Sequence, residues 1–295
     1  MKTHIQYILT LLLVSTILTA CGPTQTNPST AATQTAQATD AEAFLTRGLE
    51  YYNNGDVYRA IGEYDQAILL DPNNAEAYNN RGAAHYDQGD LERAISDYDQ
   101  AIQLKPDYTM VYLNRGLAYI MKGDLDHAIS DFDQAIQLRP SYAEAYSNRG
   151  IAYAGKGNLD HAISDFDQAI QFMPDYADAY YNRGNAYADK GDLDRAIGDY
   201  DQAIQLNPDY AKAYKHRGIA YYHKGDLDQT ISDWGEVIRL TPEDAEVYYN
   251  RGLIYAEKGE EENAVTDFQK ALELCGTNAT FCKQVQQELD RLGVK

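Results

Sequence analysis

Residues 75–108 read AEAYNNRGAAHYDQGDLERAISDYDQAIQLKPDY, and residues 109–142 read TMVYLNRGLAYIMKGDLDHAISDFDQAIQLRPSY. Laid one on the other, they share Tyr at position 4, Arg-Gly at 7 and 8, Gly-Asp at 15 and 16, and Ala at 20. Both then run Asp-Gln-Ala-Ile-Gln-Leu just ahead of a proline at 32. A unit this short cannot cover its own apolar face, so tandem copies must stack and bury it between neighbours. Working outward, the spacing holds without insertion from Ala41, giving seven units: 41–74, 75–108, 109–142, 143–176, 177–210, 211–244 and 245–278. The skew to 26 Tyr against 6 Phe and 1 Trp follows from copying one unit.

Positions 4, 8 and 11 lie at i, i+4 and i+7, one stripe of a helix. Glycine at 8 and a small residue at 20 let a second helix approach closely. Glycine at 15 supplies a left-handed C-cap, and Asp, Asn or Glu at 16 follows as the N-cap of the second helix. Proline at 32 ends it. Each unit is therefore expected to be a helical hairpin.

The side chains behind this pattern are dense. Position 4 carries Phe44, Tyr78, Tyr112, Tyr146, Tyr180, Tyr214 and Tyr248, and position 24 carries Tyr64, Tyr98, Phe132, Phe166, Tyr200, Trp234 and Phe268. Together with Gly at 8, Ala at 20 and Pro at 32, the array resembles the tetratricopeptide repeat (TPR) family. The resemblance implies an all-α, right-handed superhelical solenoid of seven hairpins. It also implies a concave groove, lined by the first helix of each unit, that holds extended or helical partner segments.

Two departures stand out. The family's leucine at position 7 is Arg in every unit, and position 23 is acidic in every unit, which predicts a ladder of Arg–carboxylate pairs between helices. The seventh unit has Gly276 where proline is expected. Beyond it Phe281, Val285, Leu289 and Leu292 form a stripe, so residues 279–295 read as a capping helix. Cys275 and Cys282 flank this junction. In an exported chain the pair points to a disulfide, with reduced thiols or a metal pair as alternatives.

Export itself is suggested by residues 1–20, where Lys2 precedes an apolar run from Tyr7 to Leu18 that is short for a spanning helix. The run closes on Leu18-Thr19-Ala20-Cys21, which resembles the lipobox of bacterial lipoproteins. That resemblance implies diacylation of Cys21; the alternative is an ordinary signal peptide or anchor with Cys21 incidental. Residues 21–40, rich in Thr, Gln, Ser and Ala, read as a flexible linker. The body would then sit in the periplasm or outside the cell, held to the cell membrane or the outer membrane.

The formal charge is −20 and becomes −21 without residues 1–20. Such a chain disfavours nucleic acid as a partner. No nucleophile motif, phosphate loop or metal-ligand cluster stands out; strings such as Asp131-Phe132-Asp133 lack the glycine and bidentate Glu of a calcium loop. The expectation is a protein that is not an enzyme and needs no cofactor.

On a helical wheel, positions 2, 6, 9 and 13 oppose the buried stripe and would face the groove. Position 6 gives Asn80, Asn114, Asn148, Asn182 and Asn250, which could bond a partner's backbone or be copied surface residues. Leu113, Leu117, Met121 and Ile151 add an apolar stretch, with Met110 and Ile120 beside it. The sixth unit adds Lys212, Lys215, His216, His223 and Lys224, while its Thr230, Trp234 and Gly235 read as compensated packing. The expected partner is thus a protein segment, amphipathic and partly acidic. A glycan-binding alternative rests on Tyr86, Tyr181, Tyr222 and Tyr249 as stacking platforms.

Overall fold

The structure is a computed structural model that describes residues 28–294, with side chains from residue 39 onward. It is all-helical, without strands among the described residues. Fourteen helices form seven consecutive pairs: α1 (Pro28–Asn53) with α2 (Val57–Leu70), α3 (Ala75–Asp87) with α4 (Leu91–Leu104), and α5 (Thr109–Lys122) with α6 (Leu125–Leu138). The pairs continue as α7 (Ala143–Gly155) with α8 (Leu159–Phe172), α9 (Ala177–Asp189) with α10 (Leu193–Leu206), α11 (Ala211–Lys224) with α12 (Leu227–Leu240), and α13 (Ala245–Glu257) with α14 (Glu261–Leu274). A fifteenth helix, α15 (Ala279–Arg291), closes the array.

Local chemistry sets these boundaries. Gly123 at the end of α5 takes φ 80°, a left-handed conformation open to glycine at little cost, and the same position is a positive-φ glycine in every pair. The next residue caps the second helix: Asp90 accepts from the Arg93 amide, Asp124 from His127 and Asn158 from His161. Glu260 makes no such cap bond.

Within each pair, the glycine at position 8 faces the ring at position 24. A Cβ on Gly82 would lie 2.7 Å from Tyr98 Cε1, and one on Gly116 would lie 2.5 Å from Phe132 Cε1. The close approach is therefore helix backbone against aromatic ring, and the small residue at position 20 only completes it. Tyr64, Tyr98, Phe132, Phe166, Tyr200 and Phe268 are buried as a result.

The first helices touch along the array, α1 to α3, α3 to α5, α5 to α7, α7 to α9 and α9 to α11, whereas successive second helices make no comparable contact. The solenoid thus curves with its odd-numbered helices inside. At the C-terminal end α15 lays the buried Val285 and Leu289 against Phe268 and Ala271. A disulfide joins Cys275 to Cys282, with Cα atoms 5.5 Å apart.

One expectation changes. Residues 28–40, assigned above to a flexible linker, form the beginning of α1. Their alanines and glutamines favour helix, and they continue a helix already packed at Ala41 and Leu45. The export segment 1–20, and residues 21–27 with Cys21, lie outside the described residues. Among the described residues, no helix is long and apolar enough to cross a membrane.

Candidate partner-binding groove

The arginine row bonds its acids in every unit. Arg81 Nε and Nη2 donate to Asp97 at 2.9 and 2.6 Å, and Arg115, Arg149, Arg183, Arg217 and Arg251 hold Asp131, Asp165, Asp199, Asp233 and Asp267 in the same two-pronged way. Arg47 reaches Glu63 at 3.0 Å. A second acid, absent from the sequence reading, comes from position 25 of the preceding unit: Arg149 Nη1 donates to Asp133 at 2.5 Å, and Arg81, Arg115, Arg183 and Arg217 do likewise with Asp65, Asp99, Asp167 and Asp201. Pairing raises each of these arginine pKa values further. Burial lifts Asp131, Asp165, Asp199 and Asp233 above the usual carboxylate range, against the pull of their arginines. The row joins neighbouring repeats and is occupied by the protein's own acids.

A lysine row repeats the device along another edge. Lys122 pairs with Glu92 and Lys258 with Asp228, at 2.7 and 2.5 Å, while Lys156, Lys190 and Lys224 pair with Asp126, Asp160 and Asp194. Lys224, counted above among the groove cations, is therefore held by Asp194.

Inside the curve, α9, α10 and α11 enclose a cleft of about 430 Å³ lined by Asn185, Ala188, Asp189, Leu193, Tyr200, His216, Ile219, Ala220 and His223. A polar network forms its floor. Asn185 Oδ1 accepts from the Tyr200 hydroxyl at 2.9 Å and from His216 Nδ1 at 2.8 Å, which makes Nδ1 the protonated ring nitrogen. Nε2 faces the Tyr181 hydroxyl at 3.5 Å. Burial lowers the His216 pKa, with Lys215 and Lys212 adding to the effect and Asp189 opposing it, so the imidazole is neutral at neutral pH.

Around this cleft the structure gathers part of the expected site. His223 lies on its wall and is exposed. Lys212 is exposed, and Lys215 is half-buried in a separate crevice with Trp234, Val237, Val247 and Asn250; neither lysine lines the cleft or forms an ion pair among the described residues. Leu117 and Asn114 line a second, smaller cleft of about 150 Å³ with Tyr52, Ala83, Tyr86, Asp87 and Tyr98. Met121 and Ile151 are exposed, at 65% and 37%. Leu113 instead packs into two core clusters and is largely committed to the interior.

The asparagine row is not uniform. Asn114 Nδ2 donates to Asn79 Oδ1, and Asn79 Nδ2 to Asn80 Oδ1, linking two units, while Asn148 Nδ2 donates to its own helix at Glu144 O. Asn80 Nδ2 is buried without a partner. Asn182 and Asn250 are half-buried with no side-chain hydrogen bond among the described residues. Of the four tyrosines considered for sugar stacking, Tyr181 is occupied by Tyr200, Tyr210 and His216, and Tyr249 by Phe268 and Phe281. Tyr222 is exposed, and Tyr86 is half-buried in the smaller cleft. Asn185 is absent from the sequence reading, and Tyr200 enters it only as a core aromatic; the Asn at position 9 of the fifth unit, where other units carry Leu, Ile or Ala, is the available signal.

Elsewhere His85 is buried where other units have tyrosine, and burial lowers its pKa. No group of three or more His, Cys, Asp or Glu side chains is placed to hold a metal among the described residues.

Stacked 34-residue helical pairs with a groove on the first-helix side define a helical-repeat protein. The chain belongs to the tetratricopeptide repeat family: models described as Tetratricopeptide repeat match residues 45–109, 177–210 and 245–278, and one described as TPR repeat matches 118–157, 154–191 and 218–259. Among solved structures, MamA is 30% identical, with a TM-score of 0.51 over 56% of this chain and 96% of its own. YrrB, described as a TPR protein with an unusual peptide-binding site, is 25% identical, with a TM-score of 0.51 over 63% of this chain and 94% of its own. A tetratricopeptide repeat protein from Parabacteroides merdae ATCC 43184 shares the fold at a TM-score of 0.63 and 23% identity, over 84% of this chain and 98% of its own. No curated protein matches the chain.

Proposed function

We propose that this protein is a lipid-anchored scaffold of the bacterial cell envelope that holds a segment of a partner protein in its groove. The observation that carries the reading is the cleft between α9 and α11, together with Lys212 and Lys215 on the same helix α11. These two cations form no ion pair among the described residues, whereas Lys122, Lys156, Lys190, Lys224 and Lys258 are each held by a carboxylate. In a chain of charge −20 they offer a local attraction for acidic side chains that the remaining surface opposes. Exposed Met121 and Ile151, on the first helices α5 and α7, suit apolar side chains of the same segment. The peptide-binding site ascribed to YrrB supports a peptide as the ligand class.

The anchor rests on Leu18-Thr19-Ala20-Cys21 and the apolar run before it, because acyl chains would supply the membrane affinity that the acidic body lacks. The scaffold reading is tested in intact cells with a photo-crosslinking residue at Ile219, inside the curve, and at Gln134, exposed on α6. Adducts from Ile219 that are absent from Gln134 support it. Equal adducts from both sites, or adducts from Gln134 alone, reject the groove.

A further inference from the structure

Five of the six repeat junctions complete an arginine with two aspartates, and the sixth does not. Arg81, Arg115, Arg149, Arg183 and Arg217 each direct Nη1 at an aspartate of the preceding unit, at 2.5 to 2.6 Å. At the last junction that position is Gly235. Arg251 keeps its two-pronged grip on Asp267, at 2.7 and 2.8 Å, so its guanidinium stands in the same orientation, but among the described residues Nη1 has no carboxylate.

Packing does not require this glycine, which corrects the compensated-packing expectation. A Cβ on Gly235 would meet only Arg251 Nη1, at 3.5 Å, an ordinary contact, whereas a Cβ on Gly218 would fall 2.5 Å from the Trp234 ring. Thr230 is explained separately, since its hydroxyl donates to the Asp226 carbonyl at 2.9 Å. Gly235 therefore weakens a helix interior, needs no special φ, and leaves an open notch beside a charged donor. Gly62 and Gly198 also face open space, but they remove no carboxylate from the row.

The grip on Asp267 and the ring of Tyr255 hold the donor, and no neighbouring hydroxyl or amide bonds its free nitrogen among the described residues. Arg251 Cζ lies 5.6 Å from the Tyr255 ring centroid, the Thr266 hydroxyl is turned to the Glu262 carbonyl, and Asn263 is tied to Glu260.

We propose that Arg251 Nη1, in the notch opened by Gly235, is a carboxylate-binding site. An acidic group from outside the chain takes the place that an aspartate of the preceding repeat holds at the other five junctions. The inference stands apart from the groove reading, because it uses none of the groove residues. The chemistry is a single carboxylate accepting a charge-assisted bond from a preoriented guanidinium. Its source is either an acidic side chain of a bound protein or a free small carboxylate.

The test is side-chain NMR of the full mature chain labelled with nitrogen-15 arginine. Sodium acetate should shift the Arg251 Nε–H resonance saturably and leave those of Arg81, Arg115, Arg149, Arg183 and Arg217 in place, while sodium chloride at equal ionic strength should not. Gly235→Asp, which supplies the missing carboxylate, should weaken acetate binding by up to about fivefold; Gly235→Ala, which fills space without charge, should leave it unchanged. An acetylated hexaglutamate peptide acting at lower carboxylate concentration than acetate identifies a protein side chain as the source, and equal potency identifies a free small carboxylate. The proposal is overturned if Arg251 responds no differently from the other arginines, or if Gly235→Asp leaves its response intact.

Discussion

Arg149 grips Asp165 through two hydrogen bonds of 2.8 and 2.6 Å, while its third nitrogen crosses to Asp133 of the preceding repeat. The two acids differ in exposure: the Asp165 side chain is 7% exposed and that of Asp133 is 48% exposed. Removing Arg149 leaves a buried charge uncompensated, whereas removing Asp133 deletes half of a screened surface pair. Arg149→Leu should therefore cost about 3 kcal/mol in chemical unfolding and Asp133→Ala less than about 1 kcal/mol. Equal losses would mean that the inner and outer rungs contribute alike.

Glycine against the aromatic ring makes a second contrast. Gly82→Ala forces a methyl to 2.7 Å from Tyr98 Cε1, with the Ala94 carbonyl at 3.2 Å, so neither neighbour can withdraw freely. A loss of about 1–3 kcal/mol is expected. Gly62→Ala, where nothing lies within 4 Å, should instead stabilise α2 by about 0.5–1 kcal/mol. Thermal midpoints moving in opposite directions would bear this out.

His216 gives the groove a pH dependence. Its folded pKa lies below the ordinary 6.5 because burial disfavours the imidazolium. The neutral ring is thus preferred in the folded state, and its contribution is full above about 6.5. That contribution is lost as pH falls through the lowered folded value. NMR titration should find the His216 midpoint below 6.5, with Asn185 and Tyr200 resonances following it. A midpoint above 6.5 would show that Asp189 outweighs burial and both lysines.

How much of this was legible follows from the distances involved. The hairpins, their left-handed glycines and the caps at Asp90 or Asp124 depend on neighbours a few residues apart, so one unit contains the whole signal. The Arg149–Asp165 pair also lies within one unit and could be read from repeated chemistry. Asp133 and the Lys156–Asp126 pairing link different units, and their geometry depends on the tilt between stacked pairs, which a helical wheel does not carry. The same limit hid the cleft, where Asn185, Tyr200 and His216 meet from three helices. Leu113 was assigned to the groove face because a wheel shows only its own helix, and a neighbouring pair covers it. Composition alone reads residues 28–40 as a linker, because it carries no sign of a helix propagating backward from a packed end.

The Cys275–Cys282 bond links the end of α14 to α15, whose Val285 and Leu289 cover the last pair. Terminal repeats have a single neighbour and open most readily. Closing this short loop should contribute about 2 kcal/mol in the chain-entropy view. Reduction should accordingly raise hydrogen exchange chiefly after residue 245, leaving Phe132 and Phe166 helices protected. Uniform loosening along the array would contradict a local role.

Partner capture in the groove is tested most directly by the salt dependence of binding for the partner crosslinked at Ile219. Lys212→Glu together with Lys215→Glu should weaken binding and flatten its salt dependence, because these cations form no ion pair among the described residues and in the proposed complex would meet a partner's acids. Leu117→Asp, in the smaller cleft, should weaken binding with little change in salt slope. Affinity indifferent to both sets of substitutions would place the partner on the outer, second-helix face and contradict the groove.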